Sequence, residues 1–362
     1  MRVAIACGGT GGHFYPGYAL SQELRKRGHE TLFLVRDGDP ARESLAAADL
    51  PSVEIRLRGF SRRPSLSWLS APFQTLFALR TLARVFRSYR PHAVAGMGAY
   101  LTGAAAVAAR LCGIPIVLHE ANARLGLSNR ACARIADALA LGLPLAEKPP
   151  VGLAPVLTGT PIRPELHRAG DAGAARAALG LEPGLKTVLI LGGSQGSRAL
   201  NTRVPGALAA LGAPLQAYHL CGKGRLEETR AAYAAAGPGV TAVVAEYDAD
   251  MARAFSAADA AVCRAGASTA AELLAAALPA VLVPYPYAAG DHQAFNARAL
   301  ERTGLYRMLR EEALGEKTLS DALAALPGRS AADPGSKIGL PRPEESASRL
   351  ADVVEEAAKT IE

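Results

Sequence analysis

Twice in this chain a short, wholly apolar run ends in a cluster of glycines and passes straight into a helical pattern. The first run is Val3-Ala4-Ile5-Ala6-Cys7, followed by Gly8-Gly9-Thr10-Gly11-Gly12-His13. The second is Val188-Leu189-Ile190-Leu191, in a strand expected at 187–191, followed by Gly192-Gly193-Ser194-Gln195-Gly196. A strand apolar at every position is buried on both faces, as in a parallel sheet covered by helices. Glycines between such a strand and a helix let backbone amides approach an anion at the helix N-terminus. Two openings of this kind predict an α/β chain of two Rossmann-like, doubly wound domains, with their glycine turns facing each other across a cleft.

The rest of the pattern agrees. With 362 residues, the chain exceeds what one hydrophobic core usually supports. In the first half we expect a helix from Pro16 to Arg27 closed by Gly28, strands at 31–35, 93–96 and 115–118, and helices through Arg110 and from near Leu127. Pro144, Pro149, Pro150, Pro155, Pro161 and Pro164 forbid a continuous helix and mark a connector with one short strand at 156–158. Strands are then expected at 216–220, 240–244, 260–262 and 280–284. Ser346 is placed to cap a last helix whose Leu350, Val353, Val354, Ala357 and Ile361 share a face. These signals predict a first domain of residues 1–161, joined by a returning helix at 345–362, and a second domain of residues 162–344.

The net charge of +7 favours a polyanionic partner. Nucleic acid is not expected, because no recognised motif accompanies the charge. The five cysteines, Cys7, Cys112, Cys132, Cys221 and Cys263, form no CxxC pair, which argues against a disulfide framework or zinc site and for a reducing compartment. Neither a signal peptide nor a spanning helix is indicated, so the protein is expected to be soluble or peripheral. One basic stretch stands out. A helix from near Pro72 would put Phe73, Leu76 and Phe77 on the same side as Arg80, Arg84 and Arg87, with Leu79, Leu82, Val85 and Phe86 opposite. Rings beside guanidiniums suit an anionic membrane surface; the alternative is a solvated arginine stripe whose first turn packs on the preceding loop.

Candidate chemistry gathers at strand ends. His13 enters the first helix where it could act as a base or merely cap it. His119, Glu120 and Asn122 follow another strand, as ligand groups or as a self-contained turn. Further on, Arg264, Ala267, Ser268, Thr269 and Glu272 offer amides, hydroxyls and a carboxylate suited to a diphosphate and a ribose, unless Thr269 and Glu272 form a capping box. Asp291, His292, Gln293 and Asn296 lie after one more strand. A nicotinamide site would place a third glycine where Phe14 stands, which weakens that reading although Asp37 lies near a ribose position.

In residues 8–16, 96–98, 119–130, 159–163, 192–201 and 263–296 the chain resembles the MurG family of glycosyltransferase family 28, along its whole length. The resemblance implies a GT-B fold and an inverting transfer of N-acetylglucosamine from UDP-GlcNAc to the C4 hydroxyl of MurNAc in lipid I, giving lipid II for peptidoglycan. Lipid I would approach the N-terminal domain at the cytoplasmic side of the cell membrane, where the enzyme is peripheral and works among other cell-wall synthesis proteins. Matching motifs imply that Thr10, Gly11, Gly12, Asn122, Arg163, Ser194 and Gln293 contact the donor. Ala267, Ser268, Thr269 and Glu272 would cradle its diphosphate and ribose, and the backbone of Asp248 would read the uracil. His13 is the implied base, with Glu120 as a second candidate. No DxD-like carboxylate pair ends a strand, so neither a metal nor another cofactor is expected. Ala99 stands where the family usually has glycine, Ala121 where it has glutamine, and Asp248 where an apolar residue is common. Competing readings are a GT-B transferase with another lipid acceptor such as diacylglycerol, a nicotinamide-dependent oxidoreductase, and a non-catalytic nucleotide-binding module.

Overall fold

The structure, a computed structural model, describes residues 1–8, 11–57, 67–150, 152–167, 170–193, 195–329 and 333–359, with the side chains of residues 11, 67–72 and 167 left aside. The chain divides into two compact units, Met1–Arg163 with Glu344–Glu362, and Pro164–Pro343.

The first unit holds seven strands: β1 (Arg2–Ala6), β2 (Glu30–Arg36), β3 (Ser52–Ile55), β4 (Ala93–Gly96), β5 (Ile116–Glu120), β6 (Ala138–Leu141) and β7 (Val156–Leu157). They form one sheet in the order β3-β2-β1-β4-β5-β6-β7, every pair parallel. Because successive side chains on a strand point to opposite faces, β1 serves two layers. Ala4 and Ala6 pack with Leu82 and Phe86 of the helix Ser67–Tyr89 and Ala105 of the helix Ala99–Leu111. Val3 and Ile5 pack with Leu20 and Leu24 of the helix Gly11–Lys26, and with Leu350, Ala351, Val354 and Ala357 of the helix Ser346–Lys359. That last helix is also tied down by Arg27, whose guanidinium donates to Asp352 (2.7 Å) and Ser348 (2.6 Å).

The first helix begins at Gly11, five residues ahead of the expected Pro16, so the proline lies inside it. Without an N–H, Pro16 cannot bond back to the Gly12 carbonyl, a loss this early turn absorbs. The close helix-to-strand approach that a dinucleotide turn makes at its third glycine, where Phe14 stands, is made here at Gly17. A Cβ there would lie 3.2 Å from side-chain atoms of Ile5, Cys7 and Met97. The basic helix likewise starts before Pro72, at Ser67. Ser346 is the first helical residue rather than the cap, and Ile361 lies outside the described residues.

The second unit holds β8 (Lys186–Leu191), β9 (Leu215–Leu220), β10 (Val240–Ala245), β11 (Ala260–Cys263), β12 (Ala280–Leu282) and β13 (Tyr306–Met308). Their order, β10-β9-β8-β11-β12-β13, with all pairs parallel, is that of a Rossmann sheet. In each unit the order reverses beside the first strand, between β1 and β4 and between β8 and β11. Ligands of open α/β sheets bind at such switch points, outside the carboxyl ends of the strands.

Candidate active site

At the switch point of the first unit, the turn after β1 meets the turn after β4. Residues Gly9 and Thr10 lie outside the described residues. Gly8 adopts φ +129°, and a Cβ on it would come within 2.7 Å of the carboxylate of Asp39, which is buried. A carboxylate against the turn disfavours a dianionic phosphate there, and the nearby acid is Asp39 rather than the anticipated Asp37. Gly11 and Gly12 open the helix, and His13 is its third residue, half-buried. The imidazole lies over Gly98, where a Cβ would fall 2.8 Å from its Cδ2. Gly98 (φ 89°) is followed by Ala99, itself left-handed at φ 62°, and the Thr102 hydroxyl donates to the Gly98 carbonyl. An alanine in that region costs about 1 kcal/mol relative to glycine, which is why a second glycine is the natural occupant. Arg163 stacks its guanidinium over Tyr15, 4.7 Å from the ring centre, and so belongs to the same helix entrance.

Glu120 ends β5 as a buried carboxylate with four donors. Its Oε1 accepts from Asn122 N (3.1 Å) and Nδ2 (2.9 Å), and its Oε2 from Gly126 N (2.7 Å) and Asn129 Nδ2 (3.0 Å). All the strong acceptor directions of the carboxylate are thus spent on shaping residues 121–129. Asn129 also donates to the His119 carbonyl (3.0 Å), and was not singled out from the sequence because an asparagine two residues into a short helix carries no local signal. His119 is buried, its Nε2 3.3 Å from the Gly159 carbonyl. Burial lowers its pKa to about 4, against the opposing pull of that carbonyl and of Glu120.

In the second unit five turns line one sheet edge. Ser194 lies outside the described residues, but the rest of the turn after β8 packs backbone to backbone on the turn after β9. A Cβ on Gly196 would fall 2.2 Å from the Cys221 carbonyl, and one on Gly222 2.5 Å from the Gly196 Cα. Gly222 is therefore as constrained as the expected glycines; the Cys221-Gly222-Lys223-Gly224 run after a strand was its signal. After β11 the helix Ala267–Ala276 is capped by Gly266 without any side-chain bond. Thr269 is thus the third helical residue, and the capping box with Glu272 is not formed. Ala267, Ser268 and Thr269 make up the first turn, whose amides face a prospective anion. The buried Ser268 Oγ has no hydrogen-bond partner among the described residues.

Arg264 fastens these turns together. Nearly buried, it donates to Ser197 Oγ (2.7 Å), to the Glu311 carboxylate, and to the carbonyls of Val283 (3.2 Å) and Pro284 (3.3 Å). Gln293 accepts from Tyr285 N (2.9 Å), which fixes the orientation of its amide, and Asn296 donates to the Ala265 carbonyl (3.0 Å). Asp291 is held by Arg310 through two bonds of 3.2 and 2.9 Å. Asp248 turns its carboxylate inward to Tyr218 (2.8 Å). Its side chain is thus removed from a prospective base. Cys7 and Cys263 stand near the two switch points, but burial pushes both thiols up, that of Cys263 to about 12, so neither offers a thiolate nucleophile.

On the helix Ser67–Tyr89, Phe73, Leu76 and Phe77 are 77, 46 and 53% exposed, and Arg80, Arg84 and Arg87 are exposed with them. Ala78, Leu82 and Phe86 face the core, with Leu79 and Val85 half-buried beside them.

A second buried histidine, His219, sits in a satisfied chain. Its Nε2 donates to Asn201 Oδ1 (3.0 Å), its Nδ1 accepts from Tyr233 (3.1 Å), and Asn201 donates to the Cys221 carbonyl (2.9 Å). Burial lowers its pKa to about 3. Unfolded imidazoles take up protons below about 6.5, whereas His119 and His219 do not until about 4 and 3. The unfolded chain therefore binds more protons across that window, and stability falls as pH drops through it. Thermal unfolding should occur at a lower temperature at pH 5 than at pH 7; identical midpoints would contradict the neutral, buried assignment.

Two Rossmann-like units, each with a glycine turn at its switch point, define the GT-B class of glycosyltransferase fold. The sequence profile of the glycosyltransferase family 28 N-terminal domain matches residues 3–141, and that of the family 28 C-terminal domain residues 187–337. The chain belongs to glycosyltransferase family 28. It is 40% identical over 360 residues to a protein of Halorhodospira halophila named UDP-N-acetylglucosamine–N-acetylmuramyl-(pentapeptide) pyrophosphoryl-undecaprenol N-acetylglucosamine transferase, covering 98% of both chains. A protein of the same name from Alkalilimnicola ehrlichii is 39% identical over 367 residues, with 99% of each covered. Among solved structures, MurG of Acinetobacter baumannii superposes with a TM-score of 0.77 at 28% identity, over 98% of this chain and 99% of that one. The calicheamicin glycosyltransferase CalG4, at 17% identity and a TM-score of 0.65 over 99% of this chain and 98% of that one, shares the fold.

Proposed function

We propose that this protein transfers N-acetylglucosamine from UDP-GlcNAc to the MurNAc C4 hydroxyl of lipid I, with inversion, as a peripheral enzyme at the cytoplasmic side of the membrane. The observation that carries this reading is the near full-length likeness to relatives named for that reaction. In the mechanism we favour, His13 takes the proton of the acceptor hydroxyl as its oxygen attacks the anomeric carbon. The bond from that carbon to the UDP oxygen breaks, and the α-linked donor yields a β-1,4 product. Negative charge growing on UDP is met by the first-turn amides of the helix Ala267–Ala276, the turn after β8 and Arg163. Glu272 takes the ribose hydroxyls, and Gln293, Asn122, Thr10, Gly11, Gly12 and Ser194 complete the donor contacts. With four donors already on its carboxylate, Glu120 acts as a positioning residue for Asn122 rather than as the base. The test is transfer of labelled sugar by purified protein offered lipid I and diacylglycerol side by side. Label in diacylglycerol alone would refute the acceptor assignment.

Membrane attachment rests on the exposed rings and arginines of the helix Ser67–Tyr89. Among the described residues no helix is long and apolar enough to cross a membrane, whereas Phe73 and Phe77 are suited to enter the acyl boundary while Arg80, Arg84 and Arg87 meet lipid phosphates. Flotation with anionic liposomes should fall at least fivefold in a Phe73→Ser/Phe77→Ser variant and weaken in Arg80→Glu, at about 1 kcal/mol per basic residue. Unaltered flotation of both variants would remove this helix from the membrane.

A further inference from the structure

The turn after β10, which the family resemblance assigns to the uracil, carries an acid where the family commonly has an apolar residue, and the structure shows how this chain accommodates it. Asp248 is 8% exposed. Its Oδ2 accepts from the hydroxyl of Tyr218 (2.8 Å), and its Oδ1 from Asp250 N (2.8 Å) and more distantly from Arg253 Nη2 (3.5 Å). Tyr218 projects from β9 and is buried at 4% exposure. Burial and the facing carboxylate push its phenol up, so the hydroxyl stays a proton donor. The ends of the same turn are held separately. Glu246 accepts from Gly224 N (2.6 Å), its carbonyl from Gly222 N (3.1 Å), and Asp250 caps the next helix through Arg253 N (3.0 Å). Between those ends, Tyr247 points outward at 70% exposure while Asp248 points inward.

A buried carboxylate is tolerated only when paired and hydrogen-bonded, and the side chain of Asp248 spends its acceptors inside the fold. With the carboxylate committed to the fold, only the backbone of this residue remains to meet a ligand. We infer that Tyr218 is a positioning residue for nucleobase recognition: through Asp248 it latches residues 246–250 so that the backbone of residue 248 meets the pyrimidine of the donor. This rests on the UDP-GlcNAc reading above and adds to it a residue that never touches the ligand.

The latch predicts a loss confined to the base. Tyr218→Phe deletes one oxygen and keeps the ring. It should weaken UDP binding, and raise KM for UDP-GlcNAc, about tenfold, while kcat, the acceptor KM and inhibition by inorganic pyrophosphate stay within about twofold. Because Tyr218 acts through Asp248, the Tyr218→Phe/Asp248→Ala protein should bind UDP no more weakly than Asp248→Ala alone. Undiminished UDP binding by Tyr218→Phe would overturn the latch, as would an equal loss toward pyrophosphate, which marks general loosening, or additive effects in the double variant. A wild-type protein that fails to bind UDP would instead overturn the donor reading and take the latch with it.

Discussion

His13→Ala is expected to lower kcat by about 10²–10⁴-fold, the usual contribution of a positioned general base, with KM for UDP-GlcNAc within about threefold. The split follows from where the residue sits. His13 belongs to the first unit, where its ring lies over Gly98 at the switch point. In the proposed reading the diphosphate is met chiefly by the turns after β8 and β11, with Arg163, so losing the imidazole would remove a proton acceptor and leave those groups in place. His13 is the third residue of its helix, a position where alanine is a good helix former, so folding should be spared. Single-turnover transfer with the lipid acceptor, together with UDP binding, measures both halves of this expectation. Turnover within tenfold of wild type in a folded His13→Ala protein would mean that another group removes the proton.

Glu120→Gln is expected to behave in the opposite manner, as a loss of stability before a loss of chemistry. One end of the new amide can still accept from Asn122. The other must place an NH2 against Gly126 N and Asn129 Nδ2, both donors aimed at the former Oε2. Asn129 cannot escape by turning over its amide, because its Nδ2 also donates to the His119 carbonyl. Asn129 is buried, and a buried donor left unpaired costs roughly 1–3 kcal/mol; with the more exposed Gly126 N adding less, the unfolding midpoint of the first unit should fall by about 5 °C. The matching kinetic sign is a raised KM for donor and acceptor, since Asn122 and residues 124–129 lose their anchor. Wild-type melting combined with a kcat loss of a thousandfold would make Glu120 a chemical participant after all.

How much of this was legible beforehand depended on whether a residue's role is local. The buried strands β1, β5 and β8 announce themselves through unbroken apolar runs, and the glycine turns through their neighbours in sequence. Three strands gave no such signal. Ser52–Ile55 is an edge strand that alternates polar and apolar, Ala138–Leu141 is alanine-rich and reads equally well as helix, and Tyr306–Met308 has only three residues. The helix beginning at Gly11 was displaced because proline favours the first turn, and nothing nearby tells that turn from the second. At the site, His13, Glu120 and Gln293 stand out because polar groups at strand ends are conspicuous. Their partners are not. Gly222 matters only because Gly196 lies against it, Asn129 because two acceptors converge on its amide, and Tyr218 because Asp248 turns inward thirty residues away in sequence. Such pairings are properties of the folded contact and have no periodicity to read.

The helix Ser346–Lys359 completes the core of a unit whose other residues end at Arg163. During synthesis, then, the first half of the chain emerges with its first helix in place but with part of that sheet face, about Ala95, Val117 and Ala140, still lacking the last helix, and stays so while 180 further residues, Pro164–Pro343, are made. The later half carries all its own core and can fold as soon as it clears the ribosome. The half that begins first is thus the half that finishes last, and in the interval its exposed apolar face is the surface a chaperone would shield. A chain cut short before residue 346 and released from the ribosome should hold a protease-resistant second unit joined to a protease-sensitive first one.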